Sequence, residues 1–371
     1  MCYTYADGIF TRKGSKALKT IGRVILSAVF LVLTGLMIAA AKAAPSAVFA
    51  FYPAFSRWAL SVISSVTGLV PIALWEVLAG LLALWFFYTL IRVFMKRRSL
   101  LRWLSGVLLG VSAGVFFFVG LWGLNHYGPS VGDTLGLDVR EYSKRDLVAA
   151  TAYYAAQANE YASRVGRDAD GLTVYPDFSS LAAQAGAGYD ALAQQSDAFT
   201  GGLGSVKPLA AWQLFSQTGT TGIFVCLTAE ACVNPDTYTV WIPFTMCHEL
   251  AHRQAVAAED EANFCAYLAC MASGNDDFGY SGAFGAYIYC HNALSAVDRQ
   301  AASEIWSTLS DSVAADVRAA NEHYAQYEGK VQDAAQKVND TYLKAFSEES
   351  GVQSYGEAAD LLIAWYLKNN A

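Results

Sequence analysis

The chain has 371 residues, of which 54% are apolar, 13% aromatic and only 15% charged. Soluble domains carry about 25% charged residues, so part of this chain is expected to sit in lipid. Up to Leu124 there are 12 Lys/Arg and only Asp7 and Glu76 as acids, while the remainder holds 13 Lys/Arg against 30 Asp/Glu, a net charge of −17; an acidic domain of that size repels phosphate and excludes nucleic acid as a partner.

The first element is the uncharged run VILSAVFLVLTGLMIAAA between Arg23 and Lys42, 18 residues long, about the minimum for a ~30 Å hydrocarbon core. Two further transmembrane helices are expected, at about 69–91 and 103–124. Between the first two lies an interfacial segment, 45–66, whose aromatic stretch Phe49 to Ser65 reads as a helix lying against the bilayer or re-entering it. Glu76 would then sit near the surface, bonded to a neighbouring helix or to the domain that follows. Arg12, Lys13, Lys16, Lys19 and Arg23 precede the first span, and Arg92, Lys96, Arg97, Arg98 and Arg102 separate the second from the third. The positive-inside rule places these in the cytoplasm of a multi-pass cell-membrane protein. Residues 1–124 thus form a membrane domain, and 125–371 form an extracytoplasmic domain.

That second domain reads as mostly helical. Ser143 to Asp146 resembles a capping box opening a helix to about Val165, and Phe178 to Gln194 reads as one more helix. After the Gly-rich FTGGLGSVKP and a short helix near Leu209 to Phe215 come two β-rich runs, GIFVCL and YTVWIPF. TAEACVNPDT separates them, with Asn-Pro-Asp as a turn. Further helices are expected over 259–272, 282–295, 298–309, 311–327, 330–347 and 354–367. Cys226 and Cys232 flank the turn and could pair in an oxidising compartment; free buried thiols are expected for the other cysteines.

The chemistry lies in CHELAHRQAVAAEDEANF, Cys247 to Phe264. On a helix, i and i+4 share a face, so His248 and His252 can aim two imidazoles at one point. Zinc accepts such nitrogens and, in catalytic sites, leaves a position for water. Glu249 points elsewhere on the helix and can serve as general base. A third ligand is needed, and Glu259, Asp260 and Glu261 offer it. A straight helix would put Glu259 ~10 Å beyond His252, so the chain must turn after about Ala255 and begin a second helix. There Asn263 shares a face with Glu259 and would orient a ligand through a hydrogen bond. For an electrophile facing the developing oxyanion, Tyr280, Tyr287 and His291 follow. Tyr280, in DDFGYSG read as a loop, is the choice.

Glu-Asp-Glu-Ala-Asn is similar to a pattern in several gluzincin families, including membrane peptidases of the prenyl-protein-processing type. More broadly, YPAFSRW, GLVPIALWE, LWGLN, TAEACVN, IPFTMCHELAH, EDEANFCAYLAC, YSG, VNDTYLK and GVQSYG resemble an uncharacterised bacterial family of three-pass membrane zincins. The resemblance implies a zincin-like domain with a small β segment, Zn2+ as cofactor, and Glu259 as third ligand with Glu261 as fallback. It also implies that a peptide docks along the strand before the ligand helix. By position that strand is Thr228, Ala229, Glu230, Ala231, Cys232, Val233 and Asn234. Similar sequences often have Gly where this one has Ala255; alanine is expected to make the turn without positive φ. The expected activity is hydrolysis of an extracytoplasmic peptide or protein. The alternative is a membrane receptor or scaffold keeping a structural zinc site. An intramembrane protease is set aside, because His248 lies about 120 residues past the last span.

Overall fold

The computed structural model describes residues 4–95, 99–139, 142–345 and 354–370. Lys96, Arg97 and Arg98 of the second basic cluster, Phe346 and Ser347 of one expected helix, and the first three residues of GVQSYG lie outside them, as do the side chains of Arg12, Lys13 and Lys16. The fold is mainly α. Helix α1 covers Thr4–Ala43, α2 Tyr52–Thr67, α3 Leu74–Met95 and α4 Leu100–Leu121. Among the described residues, three segments are long and apolar enough to cross a membrane: Ala17–Ala43, Leu74–Met95 and Leu100–Leu121. Helix α4 lies along α1, with Phe30 and Phe116 5.2 Å apart, whereas α3 buries only Val93 of its described residues.

The second span starts five residues later than its hydropathy indicates. Pro71 disfavours helix at the residue before it, and the first turn of α3 is capped from far away. Glu230 accepts hydrogen bonds from the Leu74 and Trp75 amides, both at 2.8 Å. Helix α2 buries Tyr52, Ser56, Ala59 and Leu60 and leaves Phe55, Trp58, Val62 and Val66 exposed.

In the following domain, α5 (Lys144–Ala162) carries the expected capping box between Ser143 and Asp146. The Phe178 to Gln194 stretch is two helices, Phe178–Gln184 and Ala187–Ala193. A Cβ on Gly188, inside the second of these, would overlap the Ala269 carbonyl, so glycine allows that helix its close approach to the Ala269 backbone. Strands β1 (Lys207–Pro208), β2 (Gly222–Val225) and β3 (Glu230–Val233) form one small sheet in the order β1-β3-β2. β3 runs parallel to β1 and antiparallel to β2, with Ile223 opposite Cys232. GIFV is therefore a strand, but its partner is EACV, taken in part for a connection. YTVWIPF is a 3-10 turn (Thr239–Trp241) leading into α6, Ile242–Arg253. Pro243 in the first turn of α6 costs no intrahelical bond there, which overrides the β propensity of its neighbours.

The chain continues through α7 (Glu259–Ala272), α8 (Asp276–Val297), α9 (Asp311–Ala325), α10 (Lys330–Ala345) and α11 (Ser354–Asn370). The core holds Leu147, Tyr154, Tyr189, Met246, Phe264 and Tyr287 between α5, α6, α7, α8 and α11. The six cysteines after residue 225 are free and buried. Cys226 packs with Leu60 and Trp122, whereas Cys232 packs with Ala73 and Leu209, so the two thiols belong to different clusters and do not pair.

Candidate metal centre

Helix α6 is buried on nearly every side, so its two histidines are held by packing. It ends at Gln254 and turns at Ala255, which has φ 71°. The Ala255 amide donates to His252 O (3.0 Å) and the Val256 amide to Ala251 O (3.2 Å). This is the paired-bond helix stop that favours glycine at the left-handed position. The expectation that alanine would turn without positive φ is thus corrected: the two bonds hold Ala255 in a conformation costing about 1–2 kcal/mol for a residue with a Cβ. The chain then reverses, and Glu259, first residue of α7, comes back over the histidines.

His248 Nε2 and His252 Nε2 lie 3.1 Å apart. Glu259 Oε2 is 3.2 Å from the first and Oε1 3.6 Å from the second. All candidate donor atoms of the three residues fall within 4.8 Å of one another. On the far side of each ring, His248 Nδ1 donates to Asn263 Oδ1 at 2.9 Å and His252 Nδ1 to the Val256 carbonyl at 2.8 Å. Those bonds place the proton of each neutral imidazole on Nδ1, leaving both Nε2 lone pairs aimed at a carboxylate. Three acceptors facing one another repel unless a cation lies among them, so the donor set fits a divalent metal with mixed N/O ligation. His248, His252 and Glu259 could hold a metal ion. Asp260 and Glu261 are not in this group. Glu261 Oε1 instead accepts from the Val131 amide at 2.7 Å, which removes it as fallback ligand.

The same geometry divides the site electrostatically. Burial and the neighbouring imidazole lower the His252 pKa to about 4, despite the Glu259 charge. For His248 burial is the largest effect and lowers the pKa, but the contacts and charges of Glu259, with Glu249 and Asn263, together raise it. For Glu259, burial works to raise the carboxyl but the two imidazoles hold it at about 2. Glu249 has no such partner. Burial raises it to about 8, and its Oε2 has no hydrogen-bond partner among the described residues.

A cleft of about 1010 Å³ opens over these residues. One wall is β2, another α8 and α9 with Tyr289 and Tyr324, and Asn339 and Tyr342 come from α10. The last wall is the end of α4: Phe118 and Trp122 face the cleft. Trp122 Nε1 donates to the His252 carbonyl at 2.9 Å.

The model of a family described as "Protein of unknown function (DUF3810)" matches residues 51–363. The chain belongs to this family. No curated protein and no solved structure matches the chain.

Two expectations for this DUF3810 member are corrected by the structure. Tyr280 does not reach the cleft. It lies inside α8, because Asn275 caps that helix through the Asp277 amide and two aspartates fill its first turn; this acidic start is a sequence signal that the loop reading overlooked. Its hydroxyl donates to the buried Asp316 at 2.6 Å, in a cluster with the partly buried Arg167. Tyr287 is buried as well, bonded to His291; the tyrosine of α8 that lines the cleft is Tyr289. The segment Thr228 to Asn234 cannot accept a docking strand, because β3 is central and paired on both sides. Glu230, at its start, is turned into a buried pair with Lys207.

The free edge belongs to β2. The Asn234 amide donates to Thr221 O at 2.7 Å, and alternation along the ladder then directs the backbone groups of Gly222 and Phe224 away from β3. A Cβ on Gly222 would collide with the Glu249 carboxylate, so glycine lets this edge lie directly on the candidate base. Phe224 stacks on His252 with ring centres 6.4 Å apart. A Gly-Ile-Phe-Val strand gives no such signal in the sequence, because its value depends on which neighbour pairs with it.

Proposed function

We propose that this protein is a membrane-anchored, zinc-dependent metallopeptidase acting on a peptide or protein outside the cytoplasm. The observation that carries the reading is the meeting of two Nδ1-protonated imidazoles and one carboxylate, beside a buried carboxylate that none of them holds. His248, His252 and Glu259 would bind the zinc, which when bound polarises a water and the substrate carbonyl. Glu249 is the base. Buried beside the ligands and under the Gly222 edge, it can take a proton from the attacking water and pass it to the leaving amine.

The free edge of β2 would hold the substrate backbone in an extended form, through the amides and carbonyls of Gly222 and Phe224. This arrangement brings the scissile bond over Glu249, since Gly222 touches that residue. Tyr289, on the cleft wall, is the candidate donor to the oxyanion. The external location rests on the lysine and arginine distribution of the flanking segments.

The test is the Glu249→Gln variant of the full-length protein. Zinc content should equal that of the parent while cleavage of a peptide library disappears. Undiminished turnover would refute the mechanism. If the parent, fully loaded with zinc, cleaves neither the peptide library nor a membrane-tethered peptide, the site is that of a receptor or scaffold.

A further inference from the structure

The end of the third candidate span forms part of the cleft, and this says where a substrate must come from. Trp122 follows α4 directly, and its ring centre is 5.9 Å from that of His252. The metal ligands therefore stand on the order of 10 Å beyond the end of a membrane-length helix. The headgroup layer on each face of a bilayer is ~5–7 Å deep, from the difference between total and hydrocarbon thickness. The site thus stands within a few ångströms of the outer edge of the headgroup layer.

The orientation of β2 makes the point sharper. The strand begins over Glu249 and ends in the turn Cys226 to Ala229. Cys226 and Ala229 pack with Leu60 of α2 and with Trp122, and the Thr67 hydroxyl at the end of α2 donates to Thr228 O at 3.0 Å. The strand therefore descends from the candidate base to the helix that lies between the first two spans. Beside that turn the surface is apolar: Leu69 is 82% exposed and Leu227 47%. Leu214, beside the Phe215 ring that packs on Trp75 of α3, is exposed as well. Exposed apolar side chains on these two loops and on the short helix that carries Leu214 fit the hydrocarbon–headgroup boundary.

We infer that the substrate is the juxtamembrane segment of a membrane-anchored polypeptide, cut within about six residues of its span; this rests on the peptidase reading above. An extended chain paired with β2 has one end at the bilayer. From Gly222 to Cys226 is four residues, ~13 Å at 3.3 Å per residue. A chain leaving the lipid beside Leu227 therefore presents its fourth to sixth residue to Glu249. Soluble polypeptides lack the anchored end that this register uses.

The experiment places the full-length, zinc-loaded protein in bilayer nanodiscs with one of two single-span reporters. Each carries the same randomised twelve-residue stretch, joined to the span directly or through a 20-residue Gly/Ser spacer. Both reporters are confined to the membrane equally, so only the height of the random stretch differs. Products are mapped by mass spectrometry, with Glu249→Gln protein as the blank. The expected result is cutting of the directly joined stretch within about six residues of the span, at least tenfold faster than the spaced stretch. Equal rates for the two reporters overturn the juxtamembrane assignment and leave the peptidase reading standing. No cut in either, with zinc bound, overturns both.

Discussion

Replacing Asn263 isolates the claim that lone-pair geometry, and not mere proximity, makes this a metal site. Its Oδ1 holds the Nδ1 proton of His248 at 2.9 Å, and so keeps Nε2 unprotonated and aimed at the ion. Asn263→Leu removes that acceptor from a buried position, leaving the ring free to rotate or to change tautomer. Loss of such an outer partner weakens metal binding 10–100-fold, about 1.4–2.8 kcal/mol at about 1.4 kcal/mol per tenfold change. A hydrogen bond gaining charge on metal binding, worth about 1.5–3 kcal/mol, gives the same range independently. Asn263→Asp keeps an acceptor in place and should bind zinc within tenfold of the parent. The assay is competition for zinc with a chromophoric chelator, on full-length protein in detergent, with thermal melts of the metal-free proteins to show that each is folded. A folded Leu variant binding zinc within twofold of the parent would mean that Asn263 does not set the tautomer, and the case for convergent lone pairs would fail.

Four other outcomes follow from the same geometry. In the metal-free protein Glu249 ionises at about 8 rather than at its ordinary 4.5. Between those values the folded state holds a proton that the unfolded state has lost, so the stability this group gives at low pH is lost as pH rises. Glu249→Gln should therefore gain on the parent in melting temperature from pH 4.5 to about 8 and level off above; a constant difference would argue against the buried, partnerless carboxylate. Gly222→Val should retain zinc while losing at least 100-fold in peptide cleavage, because the side chain would displace Glu249; unchanged kcat/KM would remove β2 from the site. Ala255→Gly should stabilise by roughly 0.5–1 kcal/mol in denaturant unfolding, the αL relief less the added freedom of the unfolded chain; destabilisation would contradict the positive φ. Lys207→Met leaves the buried Glu230 without its cation and should cost roughly 3–5 kcal/mol; a loss below about 1 kcal/mol would show that the pair is not needed.

The ligand triad was legible because its information is local. Two histidines one helical turn apart and an acid after a forced reversal can be found from rise per residue alone. Asn263 followed from the same arithmetic. What could not be read is whatever depends on pairing between distant segments. TAEACVN and GIFVCL are equally plausible as edge strands until β1, a two-residue strand about 25 residues before β3, covers one side of β3. Tyr280 and Tyr289 lie on one helix and differ only in which face meets the cleft, a question settled by how α8 packs on α5 and α9. Glu230 looked like a substrate-binding residue and is instead the cap of α3, a candidate membrane span, 155 positions away; no periodicity carries that signal.

These distant contacts also decide how the two parts of the chain should be regarded. Glu230 caps α3 and pairs with Lys207, whose ammonium also donates to the Thr67 and Ile72 carbonyls at 2.8 and 3.0 Å. Glu76, from the first turn of α3, returns the arrangement by accepting the Ala210 and Ala211 amides at 2.8 and 2.9 Å. Trp122 binds the backbone of the ligand helix itself. Cutting the chain after Leu124 would leave a buried carboxylate, a buried ammonium and the His252 carbonyl without these partners, and would strip one wall from the cleft. The Lys207–Glu230 pair would remain, but both groups would lose the backbone partners that complete their hydrogen bonding, and a buried ion pair needs those bonds to offset its desolvation. Helices α3 and α4 are therefore structural members of the candidate metal site, and its chemistry is to be tested on the whole chain.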